Sequence, residues 1–267
     1  MLRVMTWNVR TGGRDADGTD RWDRILAVVT AQRPDVLALQ ELRGLDRGDR
    51  LTALAGRVGM VPHLARSCFG QPVAVLVRAA LPVLRAGRVR RPFHHAAARV
   101  ELATREGPLT VLSAHLNPFS PGRRRLEADW LASAVRSSGG RLALLVGDLN
   151  TLEPGIDHTA RLAGLAAHYR RRHLRRDGRT VDTRAVARLV DAGLVDLWPW
   201  LGGGEPAGLT VPTRHGGVEF AGMRLDYLLA SPALADLTRA VRVVRGGDAD
   251  TASDHYPVVA DLALTPA

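Results

Sequence analysis

A short polar cluster lies at one end of each of six apolar segments in this 267-residue chain. The clusters are Trp7-Asn8, Gln40-Glu41, Ser113-Ala114-His115-Leu116, Gly147-Asp148-Leu149-Asn150, Leu225-Asp226-Tyr227 and Ser253-Asp254-His255-Tyr256-Pro257. Packing alone does not explain polar side chains at so many strand ends. A site assembled from several strand ends is, by contrast, a common way to build an enzyme.

The side chains in these clusters are carboxylates, carboxamides and imidazoles, without a cysteine. Such oxygen-rich sets suit Mg²⁺, Mn²⁺ or Ca²⁺ better than zinc. Asp148 and Asn150 lie two residues apart at a strand end, so they would project to the same side and could together orient a water. Taken alone, the two residues could equally satisfy backbone groups in a turn, and Glu41 could be a surface carboxylate.

The charge of the chain favours a polyanionic partner. The net charge is +10, and all 37 basic residues are arginine. A GC-rich coding sequence would explain the choice of arginine over lysine but not the excess of positive charge, so nucleic acid or another phosphorylated partner is favoured. The segment Tyr169–Arg179 contains six arginines. It is either a nucleic-acid or phospholipid contact or a solvated helix face.

The polar clusters run from residue 8 to residue 255, so we predict a single domain over residues 1–267. Cys68 is the only cysteine, which excludes an intrachain disulfide, and we expect it to be a small buried residue. A strand begins within two residues of Met1 without a leader pattern, and no stretch approaches the ~20 apolar residues of a membrane span. We therefore expect a cytoplasmic protein.

Hydrophobic periodicity predicts a mixture of strands and helices. Four short apolar runs are typical of an antiparallel meander: Val73–Val77, Leu81–Val89, Ala96–Leu102 and Leu109–Ser113. Helices are predicted over Trp22–Gln32, Arg50–Val58, 121–135 and 156–193. Two loosely similar halves of this kind predict two packed sheets with helices on their outer faces.

The motifs resemble those of a known superfamily. MTWNVR ending at Arg10, LQEL at 39–42, SAHL at 113–116, GDLN at 147–150, RLDYLL at 224–229 and SDHYPV at 253–258 occur in the order found in the endonuclease/exonuclease/phosphatase superfamily. These metal-dependent phosphoesterases include deoxyribonuclease I and the abasic-site endonucleases. The resemblance spans nearly the whole chain. It implies an α+β fold, a four-layer α/β/β/α sandwich of two mostly antiparallel sheets.

The resemblance also implies a metal site and a group that acts on water. Glu41 would be the main ligand of a Mg²⁺ or Mn²⁺ ion, with Asn8 and Asp254 nearby. Asp148 would align or deprotonate the attacking water, and Asn150 would support the transition state.

Two histidines complete the implied site. His255 would contact the scissile phosphate, and Asp226 would orient it and raise its pKa. His115 resembles the deoxyribonuclease, sphingomyelinase and phosphatase branches, where it can protonate the leaving group, and Asn117 behind it could add a phosphate contact. Deoxyribonuclease I has a glutamate where this chain has Gln71. Gln71 could hydrogen-bond His115 but would stabilise the charge of its ring less than a glutamate does. Which of His115 and His255 acts as the acid and which as the base therefore stays unassigned.

Arg10 and Arg43 resemble deoxyribonuclease I arginines that touch DNA, so we expect both to bind substrate. The predicted function is a metal-dependent phosphodiesterase, a nuclease that cleaves DNA or RNA by attack of water on phosphorus. The alternatives are a small-molecule or lipid phosphoesterase, such as a phosphoinositide phosphatase or sphingomyelinase-like enzyme, and a 5′-tyrosyl-DNA phosphodiesterase. A catalytically inactive binding module would lack a ligand, and none is missing.

Overall fold

The computed structural model describes residues 1–139 and 141–267, and within them twelve strands, nine α-helices and two short 3-10 helices, Arg171–His173 and Gly247–Asp250. The strands are β1 (Leu2–Asn8), β2 (Val36–Gln40), β3 (Met60–Ala65), β4 (Val73–Arg78), β5 (Val83–Arg88), β6 (Ala96–Leu102), β7 (Leu109–His115), β8 (Leu142–Asp148), β9 (Val195–Asp196), β10 (Asp226–Ala230), β11 (Thr238–Val243) and β12 (Val258–Leu262). The helices are α1 (Arg10–Gly13), α2 (Trp22–Gln32), α3 (Arg50–Gly56), α4 (Pro121–Arg136), α5 (Thr159–Ala163), α6 (Ala167–Arg170), α7 (Arg184–Asp191), α8 (Leu197–Trp200) and α9 (Pro232–Ala235).

The strands form two six-stranded sheets with orders β11-β12-β1-β2-β4-β3 and β5-β6-β7-β8-β10-β9. Each sheet contains one parallel pair, β1 with β2 and β7 with β8, and its other pairs are antiparallel. The two sheets pack face to face, and helices cover their outer faces. This is the predicted four-layer sandwich of mostly antiparallel sheets, so the fold prediction is confirmed.

The central strands are apolar on both faces because each sheet is covered on both sides. Val4 of β1 and Val111 of β7 belong to the core between the sheets. The next residue of β1, Met5, points outward and packs in the cluster that contains Ile25 of α2. On the second sheet, Leu112 packs outward in the cluster that contains Leu131 of α4.

Two predictions of secondary structure are wrong. β4 does not join the meander of β5, β6 and β7, but pairs with β2 and β3 in the other sheet. The continuous helix predicted over 156–193 is broken into short helices and a turn. At that turn Asp177 accepts hydrogen bonds from the backbone N–H groups of Arg179 and Thr180, and Gly178 has a φ of 68°. This Asp-Gly turn joins the extended residues Leu174 and Val181, which form an antiparallel bridge, so helical structure cannot run through it.

Cys68 is exposed rather than buried, because it lies in the loop between β3 and β4 and not in a strand. None of the helices given above is both long and apolar enough to cross a membrane.

Candidate active site

Strand register brings the polar clusters of the second sheet together. Asp148 at the end of β8 lies beside His115 of β7 on one side and Asp226 of β10 on the other. This close approach requires a glycine at position 147, where φ is 131° and a Cβ atom would lie 2.0 Å from the carbonyl oxygen of Ala114. The sequence pattern Gly-Asp at this strand end is therefore a steric requirement of the site.

The carboxylate of Asp148 is the centre of a buried polar network. Its Oδ2 lies 3.0 Å from Asn8 Nδ2, 3.3 Å from His115 Nε2 and 3.7 Å from His255 Nε2. Its Oδ1 accepts a 2.8 Å hydrogen bond from the backbone N–H of Asn150. Burial alone would raise the pKa of Asp148, but the charges of His255 and His115 outweigh it and hold that pKa well below its usual range. Asp148 is therefore an ionised carboxylate between two imidazoles.

His255 is fixed by Asp226, the pairing that the sequence predicts. The Nδ1 atom of His255 lies 2.8 Å from Asp226 Oδ2. Burial would lower the pKa of His255, but the carboxylates of Asp226 and Asp148 hold it well above its ordinary value. The ring is therefore an imidazolium whose orientation is set from behind, with its Nε2 edge towards Asp148.

His115 has a different environment from His255. Burial would lower its pKa, but Asp148 and Glu41 raise it above the ordinary value. His95 stacks on the His115 ring with 3.9 Å between the ring centroids and 13° between the planes. Among the described residues, the buried Nδ1 atom of His115 has no hydrogen-bond partner. No carboxylate therefore fixes His115 from behind.

Gln71 supports Glu41 and His95 rather than His115. Its amide Nε2 donates a 2.7 Å hydrogen bond to Glu41 Oε2, and its backbone N–H donates to His95 Nδ1 at 2.8 Å. The hydrogen bond from Gln71 to His115 that the sequence allowed is not formed: the amide nitrogen of Gln71 donates to Glu41, and its buried Oε1 and His115 Nδ1 both lack a partner among the described residues.

Glu41 is a partly exposed carboxylate held by three donors. Its Oε1 accepts from Asn8 Nδ2 at 3.1 Å, and its Oε2 accepts from the backbone N–H of Thr11 at 2.9 Å as well as from Gln71. Burial would raise the pKa of Glu41, but the charge of His115 and these hydrogen bonds lower it. Glu41 is therefore ionised at the wall of the cleft.

Glu41 and Asp254 suit a hard divalent cation. Burial raises the pKa of Asp254, His255 opposes this shift, and the neighbouring charge of Glu41 adds to it. Both carboxylates line the same cleft, and the only ion pair of Asp254 to an arginine among the described residues is a 3.6 Å contact with Arg10. A divalent cation would relieve the mutual repulsion of the two carboxylates, and their oxygens are the ligands that Mg²⁺ and Mn²⁺ prefer.

A second group, Asp148, Asp226 and His255, has ligand atoms that all lie within 4.8 Å of one another. A cation at that position would have to displace the proton that His255 shares with Asp226. Asn8 is next to both groups, but its Oδ1 accepts from the backbone N–H of Arg10 and its amide nitrogen donates to the two carboxylates. In this arrangement the amide nitrogen of Asn8 positions Glu41 and Asp148, and its Oδ1 keeps a second lone pair beside the hydrogen bond from Arg10, so the predicted place of Asn8 at the metal stays a prediction.

The cleft above these groups has a volume of about 400 Å³. The predicted substrate-binding residues Arg10 and Arg43 line it, as does Asn150. Asn117 does not contact this space. Its side-chain oxygen accepts from the backbone N–H groups of Phe119 and Ser120, so its role in the structure is to shape the loop before α4.

Arg172 from the arginine-rich segment lines the cleft, and so do six residues that the sequence patterns did not indicate: Phe69, His94, His95, Phe119, Glu219 and Phe220. His94 and His95 come directly before β6, which runs antiparallel to β7 and therefore starts at the edge where β7 ends. The polar residues at the start of an antiparallel strand reach the same edge as those at the end of its neighbour. That signal was available in the sequence.

Buried side chains of α4 hold the loops at this edge. Arg124 donates to the backbone carbonyls of Asn117 and Arg172. Glu127 accepts from the backbone N–H groups of His94 and Asn117. One helical turn thus fixes three loops of the cleft wall.

The sequence profile of the Endonuclease/Exonuclease/phosphatase family matches residues 5–255. Among solved structures, an AP endonuclease from Archaeoglobus fulgidus is similar, with a TM-score of 0.71 and 19% identity over 98% of this chain and 99% of that chain. TDP2 from D. rerio, complexed with single strand DNA product, has a TM-score of 0.68 and 16% identity over 97% of both chains. The 3′ phosphatase NExo from Neisseria, bound to a product DNA hairpin, has a TM-score of 0.67 and 20% identity over 98% of this chain and 99% of that chain. No curated protein sequence matches the chain.

Proposed function

The chain belongs to the endonuclease/exonuclease/phosphatase family and is a metal-dependent phosphoric ester hydrolase, and from this premise we propose that it is a nuclease. Its reaction would be attack of water on the phosphorus of a phosphodiester in DNA or RNA. The observation that carries this proposal is the ionised Asp148 between two imidazoles, at the floor of a cleft that Arg10, Arg43 and Arg172 line.

Glu41 and Asp254 are the residues that would hold the cation. Mg²⁺ or Mn²⁺ bound there supplies positive charge that stabilises the phosphate as negative charge develops on it. Asn8 acts beside the cation by keeping Glu41 and Asp148 in place through its amide nitrogen.

Asp148 aligns or deprotonates the attacking water, and its lowered pKa keeps it ionised and favours alignment, since a general base works best with a pKa near the operating pH. Asn150 lies next to it in the cleft wall and supports the transition state. Because Asp226 fixes His255 and keeps its pKa high, His255 retains its proton and donates a hydrogen bond to a phosphoryl oxygen. His115 has no such carboxylate behind it, so it is the better group to release a proton to the leaving oxygen.

Nucleic acid is favoured over a small or lipid substrate by the arginines around the cleft. Two of the similar structures contain DNA, which makes DNA the first substrate to test. A phosphoinositide phosphatase, a sphingomyelinase-like enzyme and a 5′-tyrosyl-DNA phosphodiesterase are the competing possibilities. The single domain over residues 1–267 and the cytoplasmic location stay predictions from the sequence.

The decisive experiment is a substrate panel with the purified protein. Single-stranded and duplex DNA, RNA, bis(4-nitrophenyl) phosphate, a phosphoinositide and sphingomyelin would each be incubated with Mg²⁺, with Mn²⁺ and with excess chelator. We expect cleavage of nucleic acid and of the small diester with either ion, and none in chelator. Full activity in chelator would contradict metal dependence, and activity confined to the lipid substrates would replace the nuclease proposal.

A matched pair of variants ties the activity to the site. Asp148→Asn should lose activity. Asp236→Asn, which changes an exposed carboxylate after α9, should keep it. Equal activity of the two variants would show that another site carries the reaction.

A further inference from the structure

A groove beside the end of β5 adjoins the cleft and carries unpaired positive charge. Four exposed arginines line it: Arg66, Arg88, Arg90 and Arg91. Within the part of the chain that the structure describes, none of the four forms an ion pair with a carboxylate. Phe69 and His95 line both this space, the β5 groove, and the cleft itself. The two spaces are therefore adjacent.

A second groove lies between the N-terminal end of α4 and residues 171–178. Its volume is about 910 Å³, and its exposed arginines include Arg125, Arg171, Arg175 and Arg176. These four also lack a carboxylate partner among the described residues. This space, the α4 groove, lies next to the cleft, because its lining residues Ser120 and Arg171 are next in sequence to the cleft-lining Phe119 and Arg172.

A ridge separates the two grooves. The rings of His94 and Phe119 meet edge to face with 5.8 Å between their centroids. Arg123 on α4 donates a hydrogen bond to the backbone carbonyl of Pro92, which extends the same ridge outward. An arginine-lined groove therefore adjoins the cleft on each side of this ridge, and these two grooves are the candidate exits of the cleft.

An exposed phenylalanine lies near each exit. Phe69 is 74% exposed and Phe119 is 59% exposed, although both line the cleft. The chain contains only four phenylalanines, and Phe220 is a third that lines the cleft. The Arg172 guanidinium lies over the Phe119 ring at 5.4 Å, which fixes one face of that ring.

Exposed rings beside arginine-lined grooves are the pattern of single-strand binding. A base stacked on an aromatic side chain stabilises such a complex by roughly 1–3 kcal/mol, while arginines neutralise the backbone. A paired base is already stacked within its duplex and would gain little from these rings. The two phenylalanines therefore favour an unpaired strand over a duplex.

We propose that an unpaired DNA strand enters the cleft through one groove and leaves through the other, so that cleavage occurs inside a continuous strand. This inference rests on the proposed nuclease function and adds that no strand end is required. The reaction balances as hydrolysis: the water oxygen bonds to phosphorus, the bond from phosphorus to the leaving oxygen breaks, and that oxygen takes up a proton.

A covalently closed single-stranded DNA circle tests the proposal directly, because it has no end. The protein with Mn²⁺ would be incubated with the circle, with a linear strand of the same sequence, and with the circle annealed to its complement. We expect the circle to be opened at a rate within about threefold of the linear strand, and the annealed circle to be cleaved at least tenfold more slowly. A circle that resists while the linear strand is shortened from an end would overturn the proposal, as would equal cleavage of the annealed circle.

Variants of each exit show whether both are used. Arg90→Gln with Arg91→Gln in the β5 groove, and Arg175→Gln with Arg176→Gln in the α4 groove, should each slow opening of the circle at least fivefold at subsaturating DNA. The charge-matched control is Arg105→Gln with Arg239→Gln. These exposed arginines lie at the end of the sheets opposite the site, and their replacement should change the rate less than twofold. An effect confined to one groove would contradict the continuous path.

The rings are tested in the same way. Phe69→Ala with Phe119→Ala should raise KM for the circle about tenfold or more, whereas Trp200→Ala, which removes another exposed aromatic ring, should not. Hydrolysis of bis(4-nitrophenyl) phosphate distinguishes failure of the proposed nuclease function from failure of the continuous strand path. Cleavage of this diester and of linear DNA but not of the circle would support the proposed function and contradict the strand path. Cleavage of neither DNA nor the diester would contradict both.

Discussion

Replacement of Asp148 by asparagine tests the centre of the site, because one isosteric change disturbs every group around it. Both oxygens of Asp148 accept hydrogen bonds, Oδ2 from Asn8 and Oδ1 from the backbone of Asn150. An asparagine has only one oxygen, so its NH₂ group must face a donor on one side. The variant also removes the anion that lies between His115 and His255.

The expected loss in kcat is about 10²–10³-fold, or about 2.7–4 kcal/mol, the scale for removal of one group that stabilises charge or moves a proton. The assay is steady-state hydrolysis of bis(4-nitrophenyl) phosphate with saturating Mn²⁺, with the exposed variant Asp236→Asn as the control. A kcat within threefold of the unchanged protein would refute the assignment of Asp148 as the group that acts on water.

The same variant has a pH signature in the metal-free protein. His115 and His255 have folded pKa values above the unfolded value of about 6.5, so their contribution to stability is complete below that pH and is lost as the pH rises through the folded pKa values. The pKa of Asp148 is lowered, so its own contribution is already complete at pH 5.5. Asp148→Asn should therefore destabilise the protein most near pH 5.5, by up to about 3 kcal/mol, since removing one partner of a buried pair has this order of cost.

The free energy of unfolding would be measured in urea with chelator present, between pH 5.5 and pH 9. The difference between the unchanged protein and Asp148→Asn should shrink as the pH rises. A difference that is constant over this range, or that grows with pH, would show that the two histidines do not share the charge of Asp148.

Three further outcomes follow from the geometry. His255→Ala should lower kcat by about 10² or more while far-UV circular dichroism stays native, and near-normal turnover would remove His255 from the site. Metal-free protein should bind single-stranded DNA with a slope of log affinity against log salt near −3, since at least four phosphate contacts contribute about −0.7 each. The triple variant Arg171→Ala, Arg175→Ala and Arg176→Ala removes three such contacts and should make this slope less steep by about 2. Gly147→Ala should lower the unfolding free energy by more than about 3 kcal/mol because the added Cβ has no space. In the control Gly87→Ala, the added Cβ meets no atom within 4 Å, so the unfolding free energy should change by less than about 1 kcal/mol. Similar effects of the two variants would contradict the packing argument.

The parts of the fold that could be predicted from sequence are those that local patterns determine. Helix α4 is marked at its start by Ser120, whose hydroxyl accepts from the Arg123 N–H, and by Pro121 in the first turn. Buried strands such as Val36–Gln40 are uninterrupted apolar runs bounded by polar residues. Hydrophobic periodicity contains no information about which sheet a strand joins. For this reason β4 was assigned to the wrong neighbours.

The sequence predicts which residues form the site better than it predicts the hydrogen bonds between them. Register follows from pairing, so residues at strand ends such as His115, Asp148 and Asp226 meet once the strands are neighbours. Which atom bonds which partner depends on loops with no periodic signal. Gln71 and Asn117 have the expected residue types near the expected place, yet the amide nitrogen of Gln71 donates to Glu41 and the side-chain oxygen of Asn117 accepts from the loop before α4.

Backbone strain gives a final test of how the site is maintained. Arg10, Thr11, Glu41 and Asn150 have φ values of 48–61°, and they are four of the five non-glycine residues with positive φ among the described residues. Such conformations cost of order 1–3 kcal/mol each and persist only where the surroundings enforce them. Their concentration at one cleft indicates that the packed sheets force these side chains into place, at the expense of stability.

Asn150 allows this strain to be separated from chemistry. Asn150→Gly and Asn150→Ala both remove the amide, including its 3.1 Å hydrogen bond to the carbonyl of Leu116, but only glycine adopts a φ of 49° without cost. Both variants should lose a similar factor in kcat, about tenfold or more for a group that supports the transition state. The glycine variant should be the more stable by about 1 kcal/mol, because an L-residue in the left-handed region costs roughly 1–2 kcal/mol. In a chain of this size that difference corresponds to a Tm shift of about 2–4 °C, measurable by calorimetry. Equal Tm values would mean that the left-handed turn after Asp148 carries no strain, and the site would then owe its geometry to side-chain hydrogen bonds alone.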